Sequence, residues 1–304
     1  MGSVLITGGM GFTGRYIVRA LHDRGQPVVN YTRDFVASGE SDIVSEQGEL
    51  FDIPRILRVF ERHQVEAIVH TAAMSHPTLS LDFPIGTFSA NVDGTLCLLE
   101  AARVAKIKRF VNFSSETVYG AVDGQVGDDT PVKPSTPYAV SKVTTEWLGD
   151  VYTKHYGLDV ISLRIAQVYG PGNKMPEIVG DILKSLQRTG SYRFHQGRDH
   201  GFNFVHAADV ASATLRTLDA KGPFGRFAYN VSSGEYWRVG DLVDLVRKCR
   251  PNGEIEIGPG RLSELDMKGP LDLTSTQRDL GFEPAWGLER GIVHYIEHLE
   301  THPW

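Results

Sequence analysis

Short apolar runs alternate with amphipathic stretches through the first half of the chain. The runs are rich in valine and isoleucine and end at polar or glycine-containing turns, which is typical of strands buried in a parallel sheet. They predict strands at Val4–Thr7, Val28–Thr32, Val44–Glu49, Ala67–His70, Arg109–Ser114 and Val160–Arg164. The intervening stretches predict helices at Thr13–Arg24, Pro54–His63, Gly86–Ala105 and Pro137–Tyr156. This alternation predicts an α/β fold with a doubly wound parallel sheet.

The pattern changes near Tyr169, where the turn sequences YGPGN and MPE interrupt it. Helices predicted at Glu177–Arg188 and Ala208–Asp219 are then mixed with short strand-like pieces. We therefore predict a dinucleotide-binding domain over residues 1–168 and a smaller α/β lobe over residues 169–304. We expect the second lobe to bind mainly substrate, and we expect some of its segments to belong to the sheet of the first domain.

The composition excludes several classes of protein. With 304 residues, 41% of them hydrophobic and 22% charged, the chain has the make-up of an ordinary globular protein. Lys+Arg 31 against Asp+Glu 37 leaves a net charge of -6, so we expect no nucleic-acid partner. Without a leader pattern or a long apolar run, the protein is expected in the cytoplasm and away from membranes. Its two cysteines, Cys97 and Cys249, do not suit a disulfide framework or a zinc site.

A glycine motif joins the first predicted strand to the first helix. It reads TGGMGFTG, from Thr7 to Gly14, with Phe12 and Thr13 inside it. Gly8 permits a tight turn, Gly11 lets the backbone approach a pyrophosphate, and Gly14 allows the helix to pack closely on the strand. The helix N-terminus offers free N–H groups to the phosphates. The motif thus predicts dinucleotide binding in a Rossmann-type domain.

The end of the second strand bears on the choice of cofactor. Thr32 stands where an acidic residue would bind the adenosine ribose of NAD, and Arg33 follows it. A guanidinium next to a neutral hydroxyl suits a 2′-phosphate, which favours NADP over NAD. Alternatively, Arg33 is a solvated loop charge and Asp34 binds the ribose of NAD.

Two further segments carry groups suited to proton transfer. Tyr138 and Lys142 stand four apart in YAVSK, so they share one face of a predicted helix. The ammonium is expected to lower the pKa of the phenol, as is the positive charge of an oxidised nicotinamide. The segment SSETVYG, which includes Ser115, ends the fifth strand at the edge where ligands of such sheets bind. A hydroxyl there can hold a carbonyl or carbinol oxygen against Tyr138.

Together these motifs resemble the extended short-chain dehydrogenase/reductase family, in its NAD-dependent epimerase/dehydratase branch of the UDP-galactose 4-epimerase type. The resemblance covers nearly the whole chain. The matching segments are TGGMGFTG, HTAAMS, NVDGT, SSETVYG, YAVSK, LRIAQVYGPGN, FVHAADVA and DLGFEPAW.

The resemblance implies roles for single residues. Tyr138 is the acid or base, Lys142 binds the nicotinamide ribose, and Ser115 holds the substrate oxygen, with Ser114 as the alternative. The other positions implied for the cofactor are Glu49 and Leu50 at the adenine, Thr71, Ala72 and Ala73 along the trough, Asn91 behind the site, and Ser75 and His76 near the nicotinamide.

The resemblance also implies a homodimer. Two helices, Gly86–Ala105 and Pro137–Tyr156, are expected to pair with their copies in a four-helix bundle. Trp147, Leu148 and Val151 fit the contacting face, although they would equally suit a face that covers the sheet.

Departures from the family pattern narrow the range of reactions and substrates that the sequence predicts. Dehydratases carry Asp then Glu after the hydroxyl residue, whereas Glu116 and Thr117 follow Ser115 here, so dehydration lacks one of its two carboxylates. Phe202 replaces an arginine that binds the substrate diphosphate, and Gln167 replaces an asparagine. Either arginines elsewhere compensate or the substrate has no diphosphate. The candidates for compensation are Arg193, Arg198 and Arg261.

A cluster of histidines lies in the second half of the chain. His195, His200 and His206 do not share a helix face, and no carboxylate pattern accompanies them. We interpret them as structural or substrate-facing residues and expect no metal site.

These observations predict an NAD(P)-dependent oxidoreductase/epimerase. Hydride would move between nicotinamide and a secondary alcohol or ketone of a sugar or nucleotide sugar, and Arg33 and Phe202 favour net redox. The substrate contacts expected are Ser75, His76, Glu116, Thr117, Gln167, Phe202 and Arg261. The alternatives are a nucleotide-sugar 4-epimerase with tightly bound NAD, a reductase of a non-nucleotide ketone or aldehyde, and a regulator that binds NADP without turnover.

Overall fold

The computed structural model describes residues 2–34 and 43–302 of the chain. Its strands are β1 (Ser3–Thr7), β2 (Val28–Thr32), β3 (Val44–Gln47), β4 (Val65–His70), β5 (Arg109–Ser115), β6 (Asp159–Ile165), β7 (Gln167–Tyr169), β8 (Ser191–Phe194), β9 (Gly201–His206), β10 (Ala228–Val231), β11 (Tyr236–Arg238) and β12 (Glu254–Ile257). Within these residues the main sheet has seven parallel strands in the order β10-β6-β5-β4-β1-β2-β3. The predicted doubly wound sheet is confirmed.

Helices surround the sheet and build the second lobe. They are α1 (Phe12–Asp23), α2 (Ile53–His63), α3 (Pro77–Asp82), α4 (Pro84–Phe88), α5 (Gly94–Val104), α6 (Pro137–Tyr156), α7 (Ile178–Thr189), α8 (Ala207–Asp219), α9 (Val239–Cys249), α10 (Thr274–Leu280) and α11 (Leu288–Thr301). Among the described residues, no helix is both long enough and apolar enough to cross a membrane.

Successive residues of the main sheet pack into different cores. Ile6 on β1 faces Ile17 of α1 and the buried side chains of α8, whereas Leu5 faces Ile56 of α2 and Leu98 of α5. Because side chains alternate along a strand, a strand buried on both faces must be apolar throughout. This explains why the strands appear in the sequence as uninterrupted apolar runs.

The predicted single helix over Gly86–Ala105 is wrong in one respect. The segment contains α4, then a π-helical turn at Ser89–Asp93, and then α5. The extra residue of the π turn directs the buried Asn91 side chain toward α6, where its Nδ2 donates to Ser141 Oγ at 3.0 Å. A periodicity of 3.6 residues cannot reveal such a turn, since the apolar positions on either side still share a face.

The second lobe has its own small sheets and core. Strands β11, β9 and β7 form one sheet, and β12 and β8 form another. Apolar side chains of α7, α9 and α11 pack together beneath them. Strand β10 comes later in the chain than the first strands of this lobe, yet it pairs with β6 of the main sheet.

Candidate active site

A cleft of about 860 Å³ lies between the carboxyl edge of the main sheet and the second lobe. The β1–α1 turn, the loop after β4 and the end of β5 line one side, together with the first turn of α6. The start of α7, strands β8 and β9, and residues 262–268 line the other side. Ligands of doubly wound sheets bind at this edge.

The glycine motif forms one end of the cleft. Gly8, Gly11, Phe12 and Thr13 line it, and Gly8 has a φ of +72°, a conformation that favours glycine. Gly14 lies behind them, where a Cβ atom would stand 2.1 Å from the carbonyl oxygen of Gly8. Helix and strand therefore pack as closely as the motif predicts.

The N-terminus of α1 fits the pyrophosphate of a dinucleotide. Gly11 is the N-cap residue and supplies no side-chain hydrogen bond, and the first turn contains no acidic residue. Backbone N–H groups of that turn are thus available to an anion at the cleft wall. The residues present fit a nicotinamide dinucleotide, which would place its phosphates at this turn.

The predicted adenosine contacts lie away from the cleft, at the ends of β2 and β3. Arg33 is exposed, and Thr32 Oγ1 accepts a hydrogen bond from the N–H of Asp34 at 3.2 Å. Glu49 is exposed and Leu50 is half-buried. Residues 35–42, which follow this turn, lie outside the described part of the chain.

The loop after β4 forms the cleft wall that the resemblance implies. The residues of this loop that line the cleft are Thr71, Ala72, Ala73, Ser75 and His76. Asn91 is buried behind the loop, where its amide accepts from the N–H of Met74 at 2.8 Å and donates to the Met74 carbonyl at 3.2 Å. Asn91 therefore does not line the cleft and instead holds the loop in place.

Sequence reasoning missed a buried histidine beneath this loop. His70 bonds through Nδ1 to Thr7 Oγ1 at 2.7 Å and through Nε2 to Thr95 Oγ1 at 2.9 Å. Burial, with a smaller effect of the Lys142 charge, lowers the pKa of His70 to about 3, so the ring is neutral. It links β1, β4 and α5 under the glycine turn. The apolar pattern of the strand gives no signal for this role, although His70 is the first residue of the HTAAMS segment.

Ser115, Tyr138 and Lys142 meet at the middle of the cleft. Thr136 caps α6 through its side chain, which places Tyr138 in the first turn. The side chains of Tyr138 and Ser115 lie close enough to influence each other. Lys142 Nζ donates to the carbonyl of Phe113 at 2.7 Å and lies 5.6 Å from the centroid of the Tyr138 ring. The three side chains are suited to bind one substrate oxygen and exchange its proton.

Burial controls the ionisation of this group. It raises the pKa of Tyr138 to about 12, and the interaction with Ser115 acts weakly in the opposite direction. It lowers the pKa of Lys142 to about 8, against the attraction of the Glu146 carboxylate. The net lowering of the Tyr138 pKa that the sequence predicts is not found in the protein alone, because desolvation of the phenol dominates.

The two neighbouring serines of SSETVYG have different surroundings. Ser115 Oγ accepts from the Thr117 N–H at 3.2 Å and from Thr117 Oγ1 at 3.0 Å, which leaves its own hydrogen for Tyr138. Ser114 Oγ instead donates to Glu146 Oε1 at 2.5 Å. The hydroxyl of Ser115 is thus the one positioned beside Tyr138.

Glu146 belongs to a buried network that the sequence reasoning missed. It accepts two hydrogen bonds from Arg164, at 2.9 and 2.7 Å. Arg164 also donates to the Tyr119 hydroxyl at 3.0 Å, which in turn donates to Asn230 at 2.7 Å. The one available signal was an arginine at the end of an apolar strand, since such a charge requires a buried partner.

The predicted substrate contacts divide into two groups. Glu116, Thr117, Gln167 and Phe202 line the cleft. Arg261 does not; it lines an adjoining pocket of about 250 Å³.

The two other arginines offered as replacements also lie elsewhere. Arg193 pairs with Glu254 and Glu256, and Arg198 pairs with Asp244. Among the described residues, the lysines and arginines that line the cleft are Lys142 and Lys268. None of the three arginines therefore lines the cleft in place of the arginine whose position Phe202 occupies.

The three histidines singled out from the sequence lie apart. His195 lines the cleft, and His206 is buried and stacks on Trp286 with 4.4 Å between ring centroids. His200 is buried beside Phe202, and burial lowers its pKa to about 4. Within residues 2–34 and 43–302, no group of three potential ligands is arranged to hold a metal ion.

Comparisons with known proteins agree with this geometry. The model of the NAD dependent epimerase/dehydratase family matches residues 4–232. A UDP-glucose 4-epimerase of Erwinia amylovora is 30% identical, with 95% of this chain and 94% of the relative covered. A dTDP-D-glucose 4,6-dehydratase of Mus musculus is 28% identical, with 99% and 90% covered.

Solved structures give the same result. The UDP-glucose 4-epimerase of Thermus thermophilus in complex with NAD has a TM-score of 0.84 and 26% identity, with 99% of both chains covered. MoeE5 in complex with UDP-glucuronic acid and NAD has a TM-score of 0.88 and 26% identity, again with 99% of both chains covered.

The different surroundings of the two serines predict opposite effects of their replacement. Ser114→Ala removes a hydrogen bond to a buried carboxylate and should lower the free energy of unfolding by about 1.5–3 kcal/mol, with turnover little changed. Ser115→Ala should reduce kcat by about 10²–10³ and change stability by less than about 1 kcal/mol. Chemical denaturation and initial rates on any substrate of the wild-type protein test both effects. The reverse assignment of the two losses would contradict the role of Ser115.

Proposed function

The chain belongs to the NAD-dependent epimerase/dehydratase family of extended short-chain dehydrogenases/reductases, and on this premise we propose that it oxidises or reduces one carbon of a sugar or nucleotide sugar. Hydride moves between nicotinamide and a secondary alcohol or ketone carbon. The observation that supports this most is the meeting of Ser115, Tyr138 and Lys142 in one cleft with the glycine turn.

In this proposal the protein moves the proton while the cofactor takes or gives the hydride. The Ser115 hydroxyl hydrogen-bonds to the substrate oxygen and holds it against Tyr138. Tyr138 takes the proton from an alcohol or returns it to a ketone. Lys142 is held by the Phe113 carbonyl, where its ammonium stabilises the phenolate form of Tyr138.

We propose net redox rather than epimerisation as the overall reaction. A net redox enzyme must exchange its cofactor in every cycle, whereas an epimerase regains the original form. The exposed Arg33 suits the 2′-phosphate of an exchangeable NADPH, whereas the family as a whole is NAD-dependent. Phe202 carries no charge, and among the described residues Lys142 and Lys268 are the lysines and arginines that line the cleft. Both observations argue against a substrate diphosphate bound as in the nucleotide-sugar relatives.

Dehydration has less support, although dehydratases are among the relatives. Glu116 follows Ser115 in the cleft, but the next position is Thr117, which bonds back to Ser115. Elimination of water needs both an acid and a base besides the proton-transfer tyrosine. Of the two positions that follow Ser115, Glu116 carries a carboxyl group and Thr117 does not.

We also propose a homodimer formed by α5 and α6. Leu96, Val140, Trp147 and Val151 are large apolar side chains exposed on these two helices. Leu148, which the sequence placed on the same face, packs instead against the core between the sheet and its helices. An exposed apolar surface of this kind is typical of a subunit interface.

A cytoplasmic location is part of this proposal. Cys97 and Cys249 are free thiols, which suits a reducing compartment. An enzyme that exchanges nicotinamide cofactors also needs access to their soluble pool.

Substitution of the proposed proton donor tests the chemistry. Tyr138→Phe keeps the ring but removes the hydroxyl, so turnover should fall by about 10²–10⁴ while dinucleotide affinity stays unchanged. Initial rates and fluorescence titration with NADPH measure the two effects. Tyr156→Phe, an exposed tyrosine on the same helix, is the matched control and should keep full rate. A fully active Tyr138→Phe protein would refute the assignment.

Cofactor exchange provides a prediction that needs no substrate. Freshly purified protein, once denatured, should release little dinucleotide, and the native protein should take up added NADPH. Mass spectrometry of the supernatant and a binding titration measure these amounts. Stoichiometric NAD released from every preparation would instead support an epimerase with a permanently bound cofactor.

Recognition of the 2′-phosphate is predicted to depend on Arg33. Arg33→Ala should weaken NADPH binding by about 1–3 kcal/mol and leave NADH binding unchanged, because only NADPH carries the phosphate. Isothermal titration with both cofactors tests this difference, and Arg188→Ala, an exposed arginine on α7, serves as the control. An equal loss for both cofactors would remove Arg33 from 2′-phosphate recognition.

Assembly is predicted to depend on the exposed face of α6. Trp147→Glu places a charge within the proposed interface and should shift the protein from dimer to monomer in analytical ultracentrifugation. Val293→Glu, a similarly exposed position on α11, should leave the dimer intact. A wild-type monomer at micromolar concentration, or dissociation by both variants alike, would contradict the proposed interface.

A further inference from the structure

Lys268 is a buried cation in the substrate half of the cleft that no sequence motif indicates. Its side chain lines the cleft and the residue is only 7% exposed. Nζ donates one hydrogen bond, to the carbonyl oxygen of Asp266 at 2.9 Å. An ammonium has three hydrogens, and within the described residues Lys268 Nζ makes this one hydrogen bond. Two hydrogens thus remain for a ligand.

Glu116 is the matching buried carboxyl group. It directly follows Ser115, lines the same cleft and is also 7% exposed. Among the described residues, its carboxyl group accepts one hydrogen bond, from Asn203 Nδ2 at a long 3.3 Å. The pKa of Glu116 is raised, because burial outweighs the opposing effects of the Lys268 charge and the Asn203 hydrogen bond.

These two groups influence each other without touching. The charge of Lys268 acts on the Glu116 carboxyl, yet no ion pair within 4.0 Å joins them among the described residues. Asn203 maintains this spacing, because its Nδ2 also donates to the Gly269 carbonyl at 3.0 Å and its Oδ1 accepts from the Leu271 N–H at 3.1 Å. The segment that carries Lys268 is therefore tied to β9 beside Glu116.

A buried charge is costly when its hydrogen-bonding capacity is unused. The group that best fits between an ammonium and a carboxyl group is a hydroxyl, which accepts from the first and can form a hydrogen bond with the second in either of its protonation states. An amine would be repelled by Lys268, and a phosphate or carboxylate would bring a second acidic group against Glu116 in a buried site, which is costly. The pair therefore distinguishes an uncharged hydroxyl from either charged alternative.

We propose that Glu116 and Lys268 together bind a substrate hydroxyl other than the one that reacts, and thereby select a polyhydroxylated, locally uncharged substrate. This inference rests on the proposed function, since Ser115 and Tyr138 define the reacting oxygen. It adds Lys268 to the binding site and gives Glu116 a role in specificity instead of proton transfer.

The test combines protein variants with substrate analogues. UDP-glucose, UDP-galactose, D-glucose and D-galactose are assayed with NAD and NADP, and the single-position deoxy analogues of any active sugar follow. For that sugar, Lys268→Met and Glu116→Gln should each raise KM at least tenfold with kcat within about threefold. For the one deoxy analogue that lacks the bound hydroxyl, wild type and variants should have equal kcat/KM. Lys248→Met, an exposed lysine on α9, is the matched control.

A second measurement is independent of turnover. In protein labelled with ¹⁵N-lysine and loaded with NADPH, the Nζ signal missing from Lys268→Met identifies Lys268. This signal should shift on titration with D-glucose or D-galactose and should not shift with their deoxy analogue at the bound position. Absence of any shift, or equal losses of kcat/KM for sugar and every deoxy analogue, would overturn the proposal. Loss of activity in Tyr138→Phe is unaffected by either result, so the proposed function is tested separately.

Discussion

The buried pair between Glu146 and Arg164 holds the active site together. Glu146 lies on α6, one turn after Lys142, and its carboxylate binds Arg164 of β6 and Ser114 of β5. The catalytic helix is thus fastened to two neighbouring strands at the edge where they end. Removing either charge would leave the other unpaired in a dry environment, at a cost of about 3–5 kcal/mol. This connection joins α6, which carries Tyr138 and Lys142, to β5, which carries Ser115.

The loop on the opposite side of the cleft is held by neutral groups. Asn91 lies in the π-helical turn, and its side-chain amide forms hydrogen bonds with the N–H and the carbonyl of Met74. His70 remains uncharged because it is fully desolvated, so it can join two threonine hydroxyls without a counterion. A buried ion pair therefore holds one wall of the cleft, and hydrogen bonds between neutral groups hold the other.

Local patterns predicted the fold and the reactive groups well, because both depend on residues close in sequence. Buried strands appear as apolar runs, and Tyr138 and Lys142 share a helix face by their spacing. The network around Glu146 and the position of Lys268 depend on contacts between distant segments. Glu146 meets Arg164 across a helix and a strand, and Lys268 approaches Glu116 from a loop about 150 residues later. No periodicity in one sequence records such pairings.

Glu146 also bears on the ionisation of Lys142, which shares the site with Tyr138. Burial places the pKa of Tyr138 near 12 and that of Lys142 near 8, so the phenol is too weak an acid for proton transfer at neutral pH. Both values would fall in the field of a positively charged ring bound in the cleft. That change favours the phenolate of Tyr138 but would also drive the proton from Lys142. The Glu146 carboxylate opposes the second effect, because its attraction raises the pKa of Lys142. A carboxylate behind the lysine therefore allows the tyrosine to ionise while the ammonium beside it stays protonated.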